Sequence, residues 1–265
     1  MELYDFEYDG ITLSDMGYMV CRFDSGGLQT VSNGSQITFN TVNTLNGKKY
    51  ELTDSQYTEC LKTTFQICKD PCMNSNFEIN VHDLRDLMSW LNRKDFHKFK
   101  PLGDEYVDFY FESSFNNISK LKFGDMICGL ELEMTTNRPF ALHEPISIFI
   151  NNTETNGKKI INDISDEEGY IYPHMEIDII EDGTFAIHNS LEDRLMEIKN
   201  CIAGEKITLD YPIIYSSLPS HKIQNDFNWN WFRIYNTFRN NQNMLTISVP
   251  CIIKIKYSPI VKVGI

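Results

Sequence analysis

The chain has 265 residues, and its 24 Lys and Arg against 37 Asp and Glu leave a net charge of −13, which excludes the basic footprint of a general nucleic-acid binder. Apolar residues make up 42% and aromatic ones 12%, enough to exclude a disordered chain. A chain of this size buries about 70% of its unfolded surface, and its length predicts two modest domains.

The N-terminus, Met1-Glu2-Leu3-Tyr4-Asp5-Phe6-Glu7, is acidic and alternating, unlike a secretion signal, and no run approaches the ~20 apolar residues of a membrane span. The chain is therefore expected to fold where it is translated, with no membrane partner. Seven scattered cysteines fit reduced thiols better than a disulfide framework, and without a secretion signal the sequons at Asn33, Asn117 and Asn151 carry no weight.

Period-two alternation dominates, placing successive side chains on opposite faces of a strand. Tyr4, Phe6 and Tyr8 alternate with acidic residues and predict a strand with one buried and one wet face. Asp24-Ser25-Gly26-Gly27 precedes neither a Lys-Ser/Thr pair nor a helix, so it reads as a loop, not a phosphate cradle. From Tyr57 to Cys68 a helical stripe (Tyr57, Cys60, Leu61, Thr64, Cys68) competes with strand alternation (Leu61, Thr63, Phe65, Ile67). β-Branched content favours the strand. A helix over about 81–93 follows the N-cap Asn80: Leu84, Leu87, Met88 and Leu91 form one stripe, with Asp83 in the first turn and Arg93 and Lys94 in the last. Strands resume at Val107, Phe109 and Phe111, and at Leu130, Leu132 and Met134.

Pro139 and Pro145 close a non-periodic stretch, where the domain boundary is placed: 1–142, then 143–265. Beyond it Ile171, Pro173, Met175, Ile177 and Ile179 share a face, Asp182-Gly183 reads as a hairpin turn, Ile207 to Ile213 is a strand, and Leu245 to Tyr257 is a long strand that Pro250 bends or places on an edge. The fold class expected is mainly β: an antiparallel, sandwich-like N-terminal domain with one α-helix, followed by a β-sandwich or jelly roll.

No catalytic signature emerges. There is no Gly-x-Ser-x-Gly elbow and no His-Glu-x-x-His. Cys68 and Cys72 lack partners for zinc, and the six histidines are dispersed. Asp163, Asp166, Glu167 and Glu168 read as a solvated acidic turn, not an ordered calcium loop. No cofactor, metal or enzymatic activity is expected. The segment Asn225-Asp226-Phe227-Asn228-Trp229-Asn230-Trp231 is the most suggestive. As a strand it would put Phe227, Trp229 and Trp231 on one face, either filling a core or, with Asn230, presenting Trp229 and Trp231 to a glycan or partner.

The order of strand, loop, strand and helix Val81-His82-Asp83-Leu84-Arg85-Asp86-Leu87-Met88-Ser89-Trp90-Leu91-Asn92, then meander and Thr136-Asn137-Arg138-Pro139-Phe140, resembles the distal tail proteins of long-tailed phages. So do Gly169-Tyr170-Ile171-Tyr172-Pro173, His221-Lys222-Ile223-Gln224-Asn225-Asp226-Phe227 and Tyr257-Ser258-Pro259-Ile260-Val261-Lys262-Val263-Gly264-Ile265. The resemblance spans essentially the whole chain and is one of layout, not of a catalytic signature. It implies a non-enzymatic hub in the virion, assembled in the bacterial cytoplasm. Six copies form a ring below the tail tube, with galectin-like C-terminal domains holding the receptor-binding or baseplate machinery. Implied partners are other copies of the chain, tail-tube or tail-terminus proteins, the tape-measure protein and a tail-associated lysin or receptor-binding protein; DNA passes through the lumen without specific binding. It also settles Tyr57 to Cys68 as a strand. Between about residues 23 and 49 it implies an extended hairpin arm reaching the neighbouring subunit, which would carry Gly26, Gly27, Asn33, Phe39 and Asn46. The Gly-, Asn- and Thr-rich composition fits such a projection. The alternative is a carbohydrate-binding module for host cell-wall glycans, but the length leaves no room for an inserted one.

Overall fold

The computed structural model describes residues 3–23, 34–44, 47–103 and 108–263. The chain divides into two compact units, Met1–Leu142 with Val261–Ile265, and His143–Ile260.

The first unit runs β1 (Asp5–Tyr8), β2 (Ile11–Thr12), β3 (Tyr18–Cys21), β4 (Ile37–Thr44), β5 (Lys49–Tyr57), β6 (Lys62–Lys69), α1 (Val81–Leu91), β7 (His97–Leu102), β8 (Phe109–Phe123), β9 (Met126–Thr136) and β10 (Ala141–His143). Pairing orders the main sheet β2-β1-β7-β8-β9-β6-β3, with β10 on β8. Alternation sets its buried face: Phe6 and Tyr8, Phe109, Phe111 and Phe115, and Leu130, Leu132 and Met134 all point into one core. Phe6 sits at its centre, with Phe99, Phe65, Trp90 and Phe115 at centroid distances of 5.1, 5.5, 6.0 and 6.0 Å. The ambiguous stretch is a strand only from Lys62, as β6 with Ile67 buried; Tyr57 ends β5, and residues 58–61 turn the chain between the two.

Helix α1 contributes to this core. Asn80 Oδ1 accepts from the amides of His82 and Asp83 while Asp83 Oδ2 accepts from the Asn80 amide, a reciprocal cap that fixes the first turn. The buried stripe is Leu87, Trp90 and Leu91, with Leu84 partly covered. Trp90 was not on the predicted stripe; its Nε1 donates to the Tyr8 carbonyl at 3.0 Å, which makes its burial possible. The helix stops at Leu91, two residues short of expectation. Asn92 N closes the last turn on Met88 O, and Arg93 turns away to meet Asp9 at 2.7 Å.

The second unit comprises β11 (Ile146–Asn152), β12 (Gly157–Asn162), β13 (Gly169–Ile171), β14 (His174–Ile179), β15 (Gly183–Asn189), β16 (Arg194–Cys201), β17 (Lys206–Asp210), β18 (Ile213–Ser216), α2 (Ile223–Asp226), β19 (Ile234–Asn236), β20 (Gln242–Ile247) and β21 (Cys251–Tyr257). One sheet is ordered β11-β21-β14-β17-β18, the other β12-β20-β15-β16, and β13 pairs β19 apart from both. Met175, Ile177, Ile253 and Ile255 from the first sheet share a core with Phe185, Ile187, Leu245 and Ile247 from the second, which makes a β-sandwich. The last strand, β22 (Ile260–Val261), pairs with β10, so the residues from Val261 group with the first unit, where the sequence reading carried the second domain to 265.

Four expected continuities break here, each at a residue that interrupts pairing. Pro173 has no N–H to give a ladder, and the strand read through it becomes β13 and β14, in different sheets. Pro212 likewise splits Ile207 to Ile213 into the hairpin β17-β18, leaving Tyr211 and Ile213 exposed. Pro250 does more than bend its strand: β20 and β21 lie in opposite sheets. Asp182-Gly183 is a corner between sheets, not a hairpin, since β14 pairs β17 and β21 while β15 pairs β16 and β20. No helix among the described residues is long and apolar enough to cross a membrane.

Burial raises the pKa of Asp83, but the Lys69 ammonium at 2.6 Å and the Asn80 amide outweigh it and hold the carboxyl below its ordinary value. A depressed carboxylate stabilises the fold above its unfolded pKa, about 3.9, and that contribution fades as pH falls through the lower folded value. Urea unfolding is expected to show Asn80→Ala costing ~1 kcal/mol, and Asp83→Asn flattening the loss of stability below about pH 4.

Candidate assembly surfaces

Strands β4 and β5 form a two-stranded ribbon that pairs with no other strand among the described residues. It is in register from Ile37–Tyr57 to Thr44–Lys49, so its return strand extends to Tyr57, beyond the expected arm end near residue 49. Between Asn40 and Thr41 the register shifts: Asn40 faces Asp54 but Thr41 faces Leu52, leaving Thr53 as the extra residue of a bulge. Thr53 Oγ1 donates to the Asn40 carbonyl at 2.8 Å and braces it. The bulge has a chemical consequence. Without it Leu52 and Tyr50 would face away from Ile37 and Phe39; with it all four lie on one face, joined by Tyr57.

That face is uncovered. Phe39, Tyr50 and Leu52 are 63%, 65% and 56% exposed, and Ile37 is also open. Covering one such side chain is worth roughly 1.5–3 kcal/mol, and an isolated two-stranded hairpin is marginal in water. Of the arm residues picked out in the sequence, Phe39 stands on this stripe; Gly26, Gly27, Asn33 and Asn46 lie outside the described residues. A second projection is the β8-β9 hairpin, whose tip carries Phe123, 80% exposed, beside the left-handed Gly124.

The aromatic segment of the second unit is not a strand. It is the end of α2 followed by a turn in which Trp229 has φ 58°, so the predicted shared face dissolves. Phe227 and Trp231 enter the sandwich core, whereas Trp229 remains 55% exposed. Asn228 and Asn230 both donate their side-chain amides to the Leu195 carbonyl, at 3.0 and 2.6 Å, and Asn228 Oδ1 accepts from the Asn230 amide at 3.0 Å. Asn230 therefore fastens the turn.

A buried polar cluster went unseen in the sequence because its members are far apart there. Glu205, fully buried, accepts from Ser216 Oγ, from His221 Nδ1 at 2.5 Å and from the Ile202 amide at 3.1 Å. Asp226 Oδ2 lies 3.3 Å from His221 Nε2. Hydroxyl and imidazole both bond the Glu205 carboxylate and not each other, so the three do not form a serine–histidine–carboxylate relay. The cluster ties α2 to the β16-β17 turn. Of the expected acidic turn, Asp163 is buried and accepts from Ser165 Oγ at 3.0 Å, while Asp166, Glu167 and Glu168 line a hollow of about 350 Å³ with residues 236–241. Among the described residues no group of His, Cys, Asp or Glu is arranged to hold a metal ion. All seven cysteines are free, and burial pushes Cys201 up to about 11 and Cys251 up to about 12, which keeps them as inert thiols.

Residues 1–138 match the family model of a phage tail protein N-terminal domain, and residues 140–257 that of a phage tail C-terminal domain. The chain belongs to this family of phage tail proteins. Among solved structures it is similar to the Dit protein (gp 19.1) of phage SPP1, described as a paradigm of the hub of the adsorption apparatus in phages infecting Gram-positive bacteria. The identity is 10% and the TM-score 0.67, over 97% of this chain and 99% of that one. A chain of the phage P2 baseplate, in its activated conformation with Ca, aligns at 12% identity and a TM-score of 0.45, over 96% and 97% of the two chains. No curated protein matches. At such low identity the SPP1 protein speaks for the fold alone; membership of the tail family rests on the two domain models.

Trp231 and Trp229 of this tail protein should separate cleanly. In urea titrations Trp231→Ala is expected to cost about 3–5 kcal/mol through the cavity it leaves, and Trp229→Ala no more than about 0.5 kcal/mol. Glu205→Ala, which leaves His221 without its principal partner, should cost a further order of 3–5 kcal/mol.

Proposed function

We propose that this tail protein is the structural hub of the tail tip of a long-tailed phage, in which six copies close into a ring that joins the tail tube to the receptor-binding apparatus. The observation that carries this reading is the ribbon: an apolar stripe of Ile37, Phe39, Tyr50 and Leu52, aligned by a bulge and left exposed among the described residues. A head-to-tail ring supplies the cover, because each subunit's projection meets a different surface of the next and the contacts close when the rotation closes. The fold shared with the SPP1 hub protein supports the same role.

In this role the first unit builds the ring, and the sandwich presents its outer strands to adhesion proteins. The tape-measure protein and DNA pass through the middle, and the chain performs no chemical step. An acidic excess of −13 suits a lumen that DNA must traverse without adhering.

Light scattering after size exclusion is expected to give the mass of six chains, or of two stacked rings, with a melting temperature that rises with protein concentration. A strictly monomeric protein at high concentration overturns the hub. Phe39→Asp with Leu52→Asp should yield monomers with unchanged circular dichroism, since both side chains are exposed within one chain. An intact ring in that double variant removes the arm from the interface.

A further inference from the structure

Five aromatic rings of the second unit follow one another in an unbroken series. Tyr170 and Tyr172 have centroids 5.3 Å apart, Tyr172 stacks on Tyr211 at 4.1 Å with planes within 5°, Tyr211 meets Trp231 edge-on at 5.4 Å, and Trp231 meets Trp229 at 6.5 Å. Trp231 is the buried base of the series, whereas Tyr170, Tyr211 and Trp229 each expose just over half of their surface. Polar groups flank the rings. The Arg233 guanidinium lies 4.1 Å over Tyr170 and is held by Glu192 at 2.6 Å; Arg194 Nε donates to the Trp231 carbonyl at 2.7 Å. The Glu192 side chain is only 5% exposed, and its Oε1 has no hydrogen-bond partner among the described residues.

We propose that this strip is a binding platform for an uncharged glycan. One face of a pyranose ring presents C–H groups of partial positive charge, which complement the negative face of an aromatic ring. Hydroxyls at the sugar's edge need planar donors beside that ring, and Arg233 and Arg194 are of that kind, with the buried Glu192 fixing the Arg233 guanidinium. Trp229 is built for such a task. A bulky residue at φ 58° is strained, and the paired bonds of Asn228 and Asn230 to Leu195 O hold it there, so that its ring is set before any ligand arrives.

Two other occupants fit less well. A polyanion meets an acidic chain, and the charge of Arg233 is already answered by Glu192. A protein anchor would sit in a pocket ringed by groups that exclude water, whereas three of these rings lie open with charged side chains beside them. The platform differs from the sequence-level candidate. Trp231 supports it from below, Asn230 only positions Trp229, and Tyr170, Tyr172 and Tyr211 come in from other strands and turns.

The test is a fluorescence titration of the full chain with trisaccharides of glucose, galactose, N-acetylglucosamine and rhamnose. Trp229 and Trp231 report, and Trp90, in the first unit, provides a constant background. The expected result is a saturable shift with at least one trisaccharide, weakened by roughly tenfold or more in Trp229→Ala and in Tyr211→Ala and unchanged in Phe149→Ala, an exposed aromatic outside the strip. Circular dichroism and thermal melts establish that each variant is folded. A shift equal in Trp229→Ala and the unsubstituted chain overturns the proposal, as does silence across the whole panel. If the panel is silent and Trp229→Ala instead abolishes incorporation into tails, the strip is a protein contact and not a glycan platform. The ring reading is untouched by any of these outcomes, because it rests on the ribbon and is read by mass.

Discussion

A strand sends alternate side chains to opposite faces, so every sheet must have one face covered or leave apolar residues in water. The two units meet that constraint in different ways. In the first unit a single helix joins the sheet's core, and its reciprocal cap and the Trp90 bond to Tyr8 O fix where it lies. In the second, two sheets cover each other, and the chain passes between them at Pro250 and at the Asp182-Gly183 corner. The ribbon β4-β5 meets it in neither way, and Phe39, Tyr50 and Leu52 stay exposed.

The positions where pairing is interrupted are the ones that shape the surfaces. A bulge at Thr53 brings Tyr50 and Leu52 onto the face of Phe39. The break at Pro212 turns Tyr211 outward, where it stacks on Tyr172. The turn at Trp229, left-handed in its backbone, lifts one tryptophan of the segment into solvent while its neighbours go inward. In each case a local loss of regular hydrogen bonding re-aims side chains, and the re-aimed side chains are aromatic or large and apolar. Burying them against a partner recovers the free energy that the fold of one chain leaves unused.

Charge works alongside this. The buried carboxylate of Glu205 is satisfied by three donors, and Asp83 by a lysine and a backbone amide, so these acids serve the fold. Many of the remaining acidic residues stand on wet strand faces, as Glu176 and Asp178 do, and set the chain's long-range field.

Alternation and capping are local properties, and they were legible: β1, β9, α1 and the predominance of strands follow from the spacing of Phe6, Leu130, Leu132 and Leu87 and from Asn80. The family resemblance, carried by phrases along the whole chain, was legible as well. Tertiary structure alone decided which strands share a sheet, because a proline or an Asp-Gly pair marks an interruption without saying where the chain resumes. It also decided the fate of Phe227, Trp229 and Trp231. Equal spacing in the sequence implied one common face, yet a single left-handed residue, held by two asparagines on a carbonyl 33 and 35 positions away, divided them between core and solvent. Such contacts between distant residues set which side chains a fold can leave exposed, and no local pattern records them.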